Sequence, residues 1–106
     1  MKNTQTPLMW RHGDVMIAAV TEVPERAKAL PTAILAHGEV TGHSHRIEDP
    51  KTVEMYKMGD ILYMKVLCDH TALIHEEHKR ITIPRGIYRV WQQREYTPTA
   101  IVRVTD

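Results

Sequence analysis

The chain has 106 residues, 42% hydrophobic and 25% charged, with 14 basic and 13 acidic side chains and a formal net charge of +1. That profile fits a single soluble globular domain, excludes a disordered chain or a membrane-spanning helix, and leaves no global electrostatic attraction to nucleic acid or membrane surfaces. The lone cysteine, Cys68, rules out an intramolecular disulfide and suits a reducing compartment. Residues 1–7 are polar, lack the apolar stretch of a signal peptide and are expected to be flexible, so the protein is expected to be cytoplasmic. A turn over residues 10–14 leads into the first strand, Val15–Val20, which is apolar on both faces. Pro24 followed by helix formers predicts a turn or two of helix over residues 24–30, stopped by Pro31. A short apolar run, residues 33–37, enters the glycine-bounded segment Gly38-Glu39-Val40-Thr41-Gly42-His43-Ser44-His45-Arg46-Ile47-Glu48, and Asp49-Pro50-Lys51 breaks the chain.

Further along, the pattern becomes one of successive antiparallel strands. They are expected over residues 53–57 and 61–68, joined by a Met58-Gly59-Asp60 turn, then over 71–75 and 78–83. A Pro84-Arg85-Gly86 turn precedes a strand over 87–94, and the last strand is expected over 100–104. About seven to nine short strands at this spacing predict an all-β fold: a small single-domain antiparallel barrel or sandwich, a cupin-like one among them, with at most one short helix. An edge strand such as 100–104 would allow a homodimer.

Side chains repeat with period two along a strand, so an extended backbone puts His43 and His45 on one face. His75-Glu76-Glu77-His78 lies between two strands; if Glu76-Glu77 is a tight hairpin loop, His75 and His78 stand opposed, with Cβ atoms ~4.5–5.5 Å apart. Glu-Glu is a poor residue pair for such a loop. The same register places Leu73 and Arg80 beside the histidines and turns Ala72, Ile74, Ile81 and Ile83 to the opposite, core-forming face. His12 and His37 flank glycines and either can join the site, although a turn histidine is the commoner case. His70 beside Asp69 reads as a loop pair, and Cys68 as a packed thiol.

Three functions fit these residues. In the first, His43, His45, His75 and His78 bind a divalent transition metal (zinc, manganese, iron or nickel), with Glu48, Glu76 or Glu77 as carboxylate ligand or general base. The ion activates water for hydrolysis, the substrate being a nucleotide or an RNA phosphodiester. In the second, no metal is needed: His43 and His45 act as general base and acid on RNA or a cyclic nucleotide, with Lys65, Arg80, Arg85 or Arg94 holding phosphate oxygens. Tyr56, Tyr63, Tyr88, Trp91 and Tyr96 can stack bases, and Gln93, Arg94 and Tyr96 can form a substrate-contacting rim. In the third, the histidines belong to a non-enzymatic module that binds a nucleotide or a protein. The structural alternative throughout is a set of loop histidines and a solvated charged turn.

Two resemblances follow from these motifs. Gly42-His43-Ser44-His45 with Glu48 resembles a shortened first motif of the cupins, and Ile83-Pro84-Arg85-Gly86 resembles the Pro-x-Gly turn of their second, which implies a barrel whose two histidines and glutamate bind metal. Here the later histidines precede the Pro-x-Gly turn rather than follow it. Across nearly the whole chain, Gly13-Asp14-Val15, residues 38–45, His75-Glu76-Glu77-His78, Pro84-Arg85-Gly86-Ile87-Tyr88 and Arg94-Glu95-Tyr96-Thr97-Pro98 together resemble a family of short uncharacterised prokaryotic and phage proteins. That resemblance supports the choice of site and implies no particular activity.

Overall fold

In a computed structural model, which describes residues 9–37 and 42–93, two fifteen-residue strands form the spine of the molecule. They are β7 (Ile61–His75) and β8 (His78–Gln92), and β8 pairs antiparallel with β7 from Leu62↔Val90 to His75↔His78. The other edge of β7 is shared: β6 (Val53–Met58) pairs with its first half and β5 (Ser44–Ile47) with its last residues. The other edge of β8 takes β2 (Val15–Val20), which carries β1 (Met9–His12) outside it. Short strands β3 (Lys28–Leu30) and β4 (Ile34–His37) pair with β6 and β5. All eight belong to one antiparallel sheet that curls into a half-barrel, so the all-β expectation holds. Among the described residues no helix is long and apolar enough to cross a membrane.

The concave face holds the core. Alternate residues of each strand turn inward, and Val15, Ile17, Ile47, Met64, Leu73, Ile83, Tyr88 and Val90 meet there, each almost wholly buried. The Tyr88 ring packs edge-on against Trp10 at 5.6 Å, and its hydroxyl donates to the Pro84 carbonyl at 2.7 Å.

Several sequence expectations are corrected. Residues 24–30 form no helix: one backbone turn, Ala27 N–H to Pro24 O at 3.0 Å, leads straight into β3. Pairing with β6 therefore overrides local helix propensity, which tertiary contacts commonly do. Among the described residues the one helical turn is a 3₁₀ turn, Pro50–Thr52, capped by the Asp49 side chain. Pro84-Arg85-Gly86 does not reverse the chain but lies within β8, opposite a register shift between Val66 and His70 of β7. Proline cannot donate to the ladder, so the ribbon bulges and bends there instead of ending. Leu67, Cys68 and Asp69 bulge outward on the facing strand, which leaves Cys68 an exposed thiol rather than a packed one. His70 accordingly lies within β7 rather than in a loop. The strand expected over 100–104 and the flexible start expected over 1–7 lie outside the described residues.

Removing the Tyr88 hydroxyl should expose what its hydrogen bond contributes. Tyr88→Phe is expected to lower stability by about 1 kcal/mol, or roughly 4–8 °C in the thermal midpoint, while leaving the circular dichroism spectrum unchanged. A variant as stable as the parent would mean that the Pro84 carbonyl is satisfied some other way.

Candidate metal centre

The inward-facing rows that build the core end in histidines. On β5, His45 shares its face with buried Ile47; on β7, His75 shares its face with Leu73. Across the hairpin, His78 stands opposite His75. On β1, His12 lies opposite Val15 and on the same face as Trp10. The ring centroids of His45 lie 4.3 Å from His75, 5.4 Å from His78 and 5.0 Å from His12. His43, just before β5, has its ring centroid 5.8 Å from that of His75. Five of the seven histidines thus meet as a polar cap on the end of the core, with His12 and His45 buried. One ligand atom each from His45, His75 and His78 lie within 4.8 Å of one another, and so do one each from His43, His75 and Glu76.

The turn that opposes His75 to His78 has no residue with positive φ. Side chains hold it instead. His75 Nδ1 accepts the Glu77 backbone N–H at 2.9 Å, and Glu76 Oε1 accepts the Ser44 N–H at 3.2 Å. Arg46 Nη1 lies 3.1 Å from Glu76 Oε2. That guanidinium, helped by backbone N–H groups, holds the Glu76 carboxyl well below the usual range, at about 2.

Proton positions inside the cap follow from an acceptor that cannot change its role. His12 Nε2 lies 2.8 Å from the Lys79 carbonyl oxygen, so it must carry a hydrogen. In a neutral ring Nδ1 is then a bare acceptor, and His45 Nδ1, 2.9 Å away, must donate to it. The His45 Nε2 lone pair consequently faces Asp14 Oδ1 at 3.6 Å. We read this contact not as an ordinary ion pair but as two acceptors turned toward a space that suits a cation or a proton. Burial, reinforced by the neighbouring His75 and His12 rings and opposed by Asp14, lowers the His45 pKa from 6.5 to about 4. Burial and His78 also lower that of His75. Asp14 is fixed from behind, its Oδ2 accepting Gln92 Nε2–H at 2.7 Å and its carbonyl accepting the Gln93 N–H at 2.8 Å. His75, whose Nδ1 is an acceptor, carries its neutral-form hydrogen on Nε2.

Close approach to the rings requires Gly13. Its φ is +64°, and an added Cβ would lie 2.8 Å from His78 Nε2 and 2.9 Å from His45 Cε1. Beside it a groove opens between Arg11, Glu77, His78 and Lys79. Grooves along β3 and β6 hold none of the histidines.

The other residues singled out by sequence are distributed as follows. Glu77 stands at the cap, its Oε2 3.3 Å from His43 Nδ1 but out of line for a hydrogen bond. Arg80 is not among the rings: exposed, it pairs with Glu48 at 2.9 Å. The reason is a second register shift, between Leu73 and His75, which gives β8 an extra residue and brings Ile81, not Arg80, to the inner face opposite Leu73. Lys65 lies on the far half of β7, its ammonium 5.8 Å from the Tyr56 ring centroid, and Arg85 pairs with exposed Asp69. Arg94 and Tyr96 lie outside the described residues. His37 is exposed on β4 opposite Ser44. Sequence reasoning missed Asp14 and gave His12 little weight. The alternation Trp10-x-His12, mirrored across Gly13-Asp14 by Val15-x-Ile17, is the signal that would have found them.

No curated protein and no solved structure matches the chain significantly. Residues 11–93 match a family described as a domain of unknown function, DUF8820. Because that match takes in most of the sequence, the chain belongs to this family.

Proposed function

We propose that the protein binds a divalent transition metal through His45, His75 and His78, with Asp14 alongside, and is a hydrolase acting on phosphodiesters such as RNA or nucleotides. The observation that carries the reading is the position of His45 Nε2, 3.6 Å from Asp14 Oδ1 within a three-imidazole cluster, where the bond to His12 leaves it a lone pair. Imidazole nitrogen with one carboxylate suits zinc, manganese, iron or nickel. Such an ion lowers the pKa of a water in its coordination shell. His43, 3.3 Å from Glu77, would take or give a proton beside the cluster, and Arg11 and Lys79 line the groove through which an anionic substrate would approach. Binding an ion through either nitrogen of a neutral His75 breaks the hydrogen bond from Glu77 N–H, which couples loading to the hairpin turn.

One observation favours a second, metal-free reading. His45 offers a lone pair at Nε2 and His75 an N–H at Nε2, with ring centroids 4.3 Å apart. That is a base and an acid side by side, the pair needed to cleave RNA through its own 2′-hydroxyl.

Purified protein titrated with Zn²⁺, Mn²⁺ and Ni²⁺ is expected to bind about one ion, and His45→Ala and His78→Ala to weaken binding by at least tenfold. Cleavage of bis(p-nitrophenyl) phosphate or RNA should stop in EDTA. Full activity in EDTA on RNA but not DNA would replace the first reading with the second, and absence of both binding and turnover would remove both. Gly13→Ala is expected to displace the His78 or His45 ring and reduce metal affinity at least tenfold, measured by the same titration.

The metal-free protein should also be acid-sensitive. Above pH 6.5 His45 is neutral both folded and unfolded; below it the unfolded chain takes up a proton that the folded ring excludes down to about pH 4. Stability is therefore lost between pH 6.5 and 4, and His75, shifted the same way, adds to the loss. Urea midpoints across this range should fall, less steeply in His45→Gln; a flat profile would contradict the assignment.

A further inference from the structure

His12 lies outside the proposed ligand set, yet it is buried to 3% exposure and both of its nitrogens meet a partner within 2.9 Å. One of those partners is a main-chain carbonyl, which can only accept. The other is the most buried ring of the proposed ligand set. A ring held in this way transmits the polarity of the Lys79 carbonyl, through its own two nitrogens, to His45. We infer that His12 is a positioning residue: its Nδ1 acceptor holds His45 in the Nδ1–H form and turns the His45 Nε2 lone pair toward Asp14 and the ligand cluster.

Two features make the arrangement one-sided. Reversing the proton order would leave His12 Nε2 bare against the Lys79 oxygen at 2.8 Å, acceptor facing acceptor. Escaping that clash would require His12 to hold both protons, a cation in a site 3% exposed whose ring centroid lies 5.0–6.4 Å from those of His45, His75 and His78. Partners of this kind behind a metal-bound imidazole fix its ring and tautomer, and losing them typically weakens metal binding 10–100-fold. The consequence for affinity rests on the proposed metal centre; the proton order at His45 does not.

The experiment has two readouts on ¹⁵N-labelled protein. Long-range ¹H–¹⁵N spectra of the metal-free protein at pH 7.5 should show His45 protonated at Nδ1. His12→Asn, whose side-chain oxygen falls near the Nδ1 position, should keep that form, whereas His12→Phe should lose it. Zn²⁺ affinity should fall 10–100-fold in His12→Phe and return to within about threefold of the parent in His12→Asn. A merely space-filling role predicts the reverse order of rescue, since Phe preserves the ring and Asn does not. Parent protein with His45 protonated at Nε2, or a His12→Phe variant that keeps the Nδ1–H form, would overturn the inference. If the parent binds no zinc while the proton order is as stated, the metal reading fails and the positioning role stands. Should His12→Phe fail to fold, the parent spectrum and His12→Asn still decide the matter.

Discussion

The pairing of β7 with β8 is the constraint on which everything else depends. Because side chains alternate strictly along a strand, each slip in that pairing changes which residues face inward. Two slips occur, and both have consequences for the site. The shift between Val66 and His70 bends the ribbon where Pro84 cannot donate, so that one strand pair serves two halves of a curled sheet. The shift between Leu73 and His75 keeps Ile81 and Ile83 in the apolar row while leaving His78 opposite His75. Without the extra residue, Arg80 would occupy the place that Ile81 takes.

Packing five imidazoles over the end of an apolar core is tolerable only while most of them are uncharged. Burial and mutual proximity act in the same direction here, both opposing protonation of His45 and His75. Carboxylates lie around the edge rather than in the middle. Glu76 is tied to Arg46 and Ser44, Glu77 faces His43, and Asp14 is held by Gln92. The middle of the cluster is therefore made of uncharged rings, and the charged groups, Arg46 among them, stand at its edge.

Much of this was legible in the sequence, for identifiable reasons. Strand β2 follows from its apolar run, and β6 from its place in the series of short strands before the Gly59-Asp60 turn. Opposition of His75 and His78 follows from the two-residue spacing, although Glu-Glu lacks the usual turn chemistry. Beyond the local bond from Glu77 N–H to His75 Nδ1, what stabilises that turn is distant in sequence, in Ser44 and Arg46, and no local rule reveals it. The helix expected over residues 24–30 failed because propensity is a weak local term and strand pairing a stronger tertiary one. Arg80 was misplaced because period-two counting assumes an unbroken ladder. Proline and glycine at 84 and 86 resemble turn residues but here mark a bend, and that distinction depends on what the opposite strand does.

The contact between His12 and the Lys79 carbonyl joins positions 67 apart in the chain. Closing a loop of that length carries an entropic penalty of roughly 4 kcal/mol, which must be offset by sheet contacts made beforehand. The ring cluster is thus among the least local features of the molecule, and fragments holding one hairpin at a time would contain its parts without its proton order. The ring cluster is complete only once β1, β2 and β8 have come together, which makes it a built-in report of completed folding.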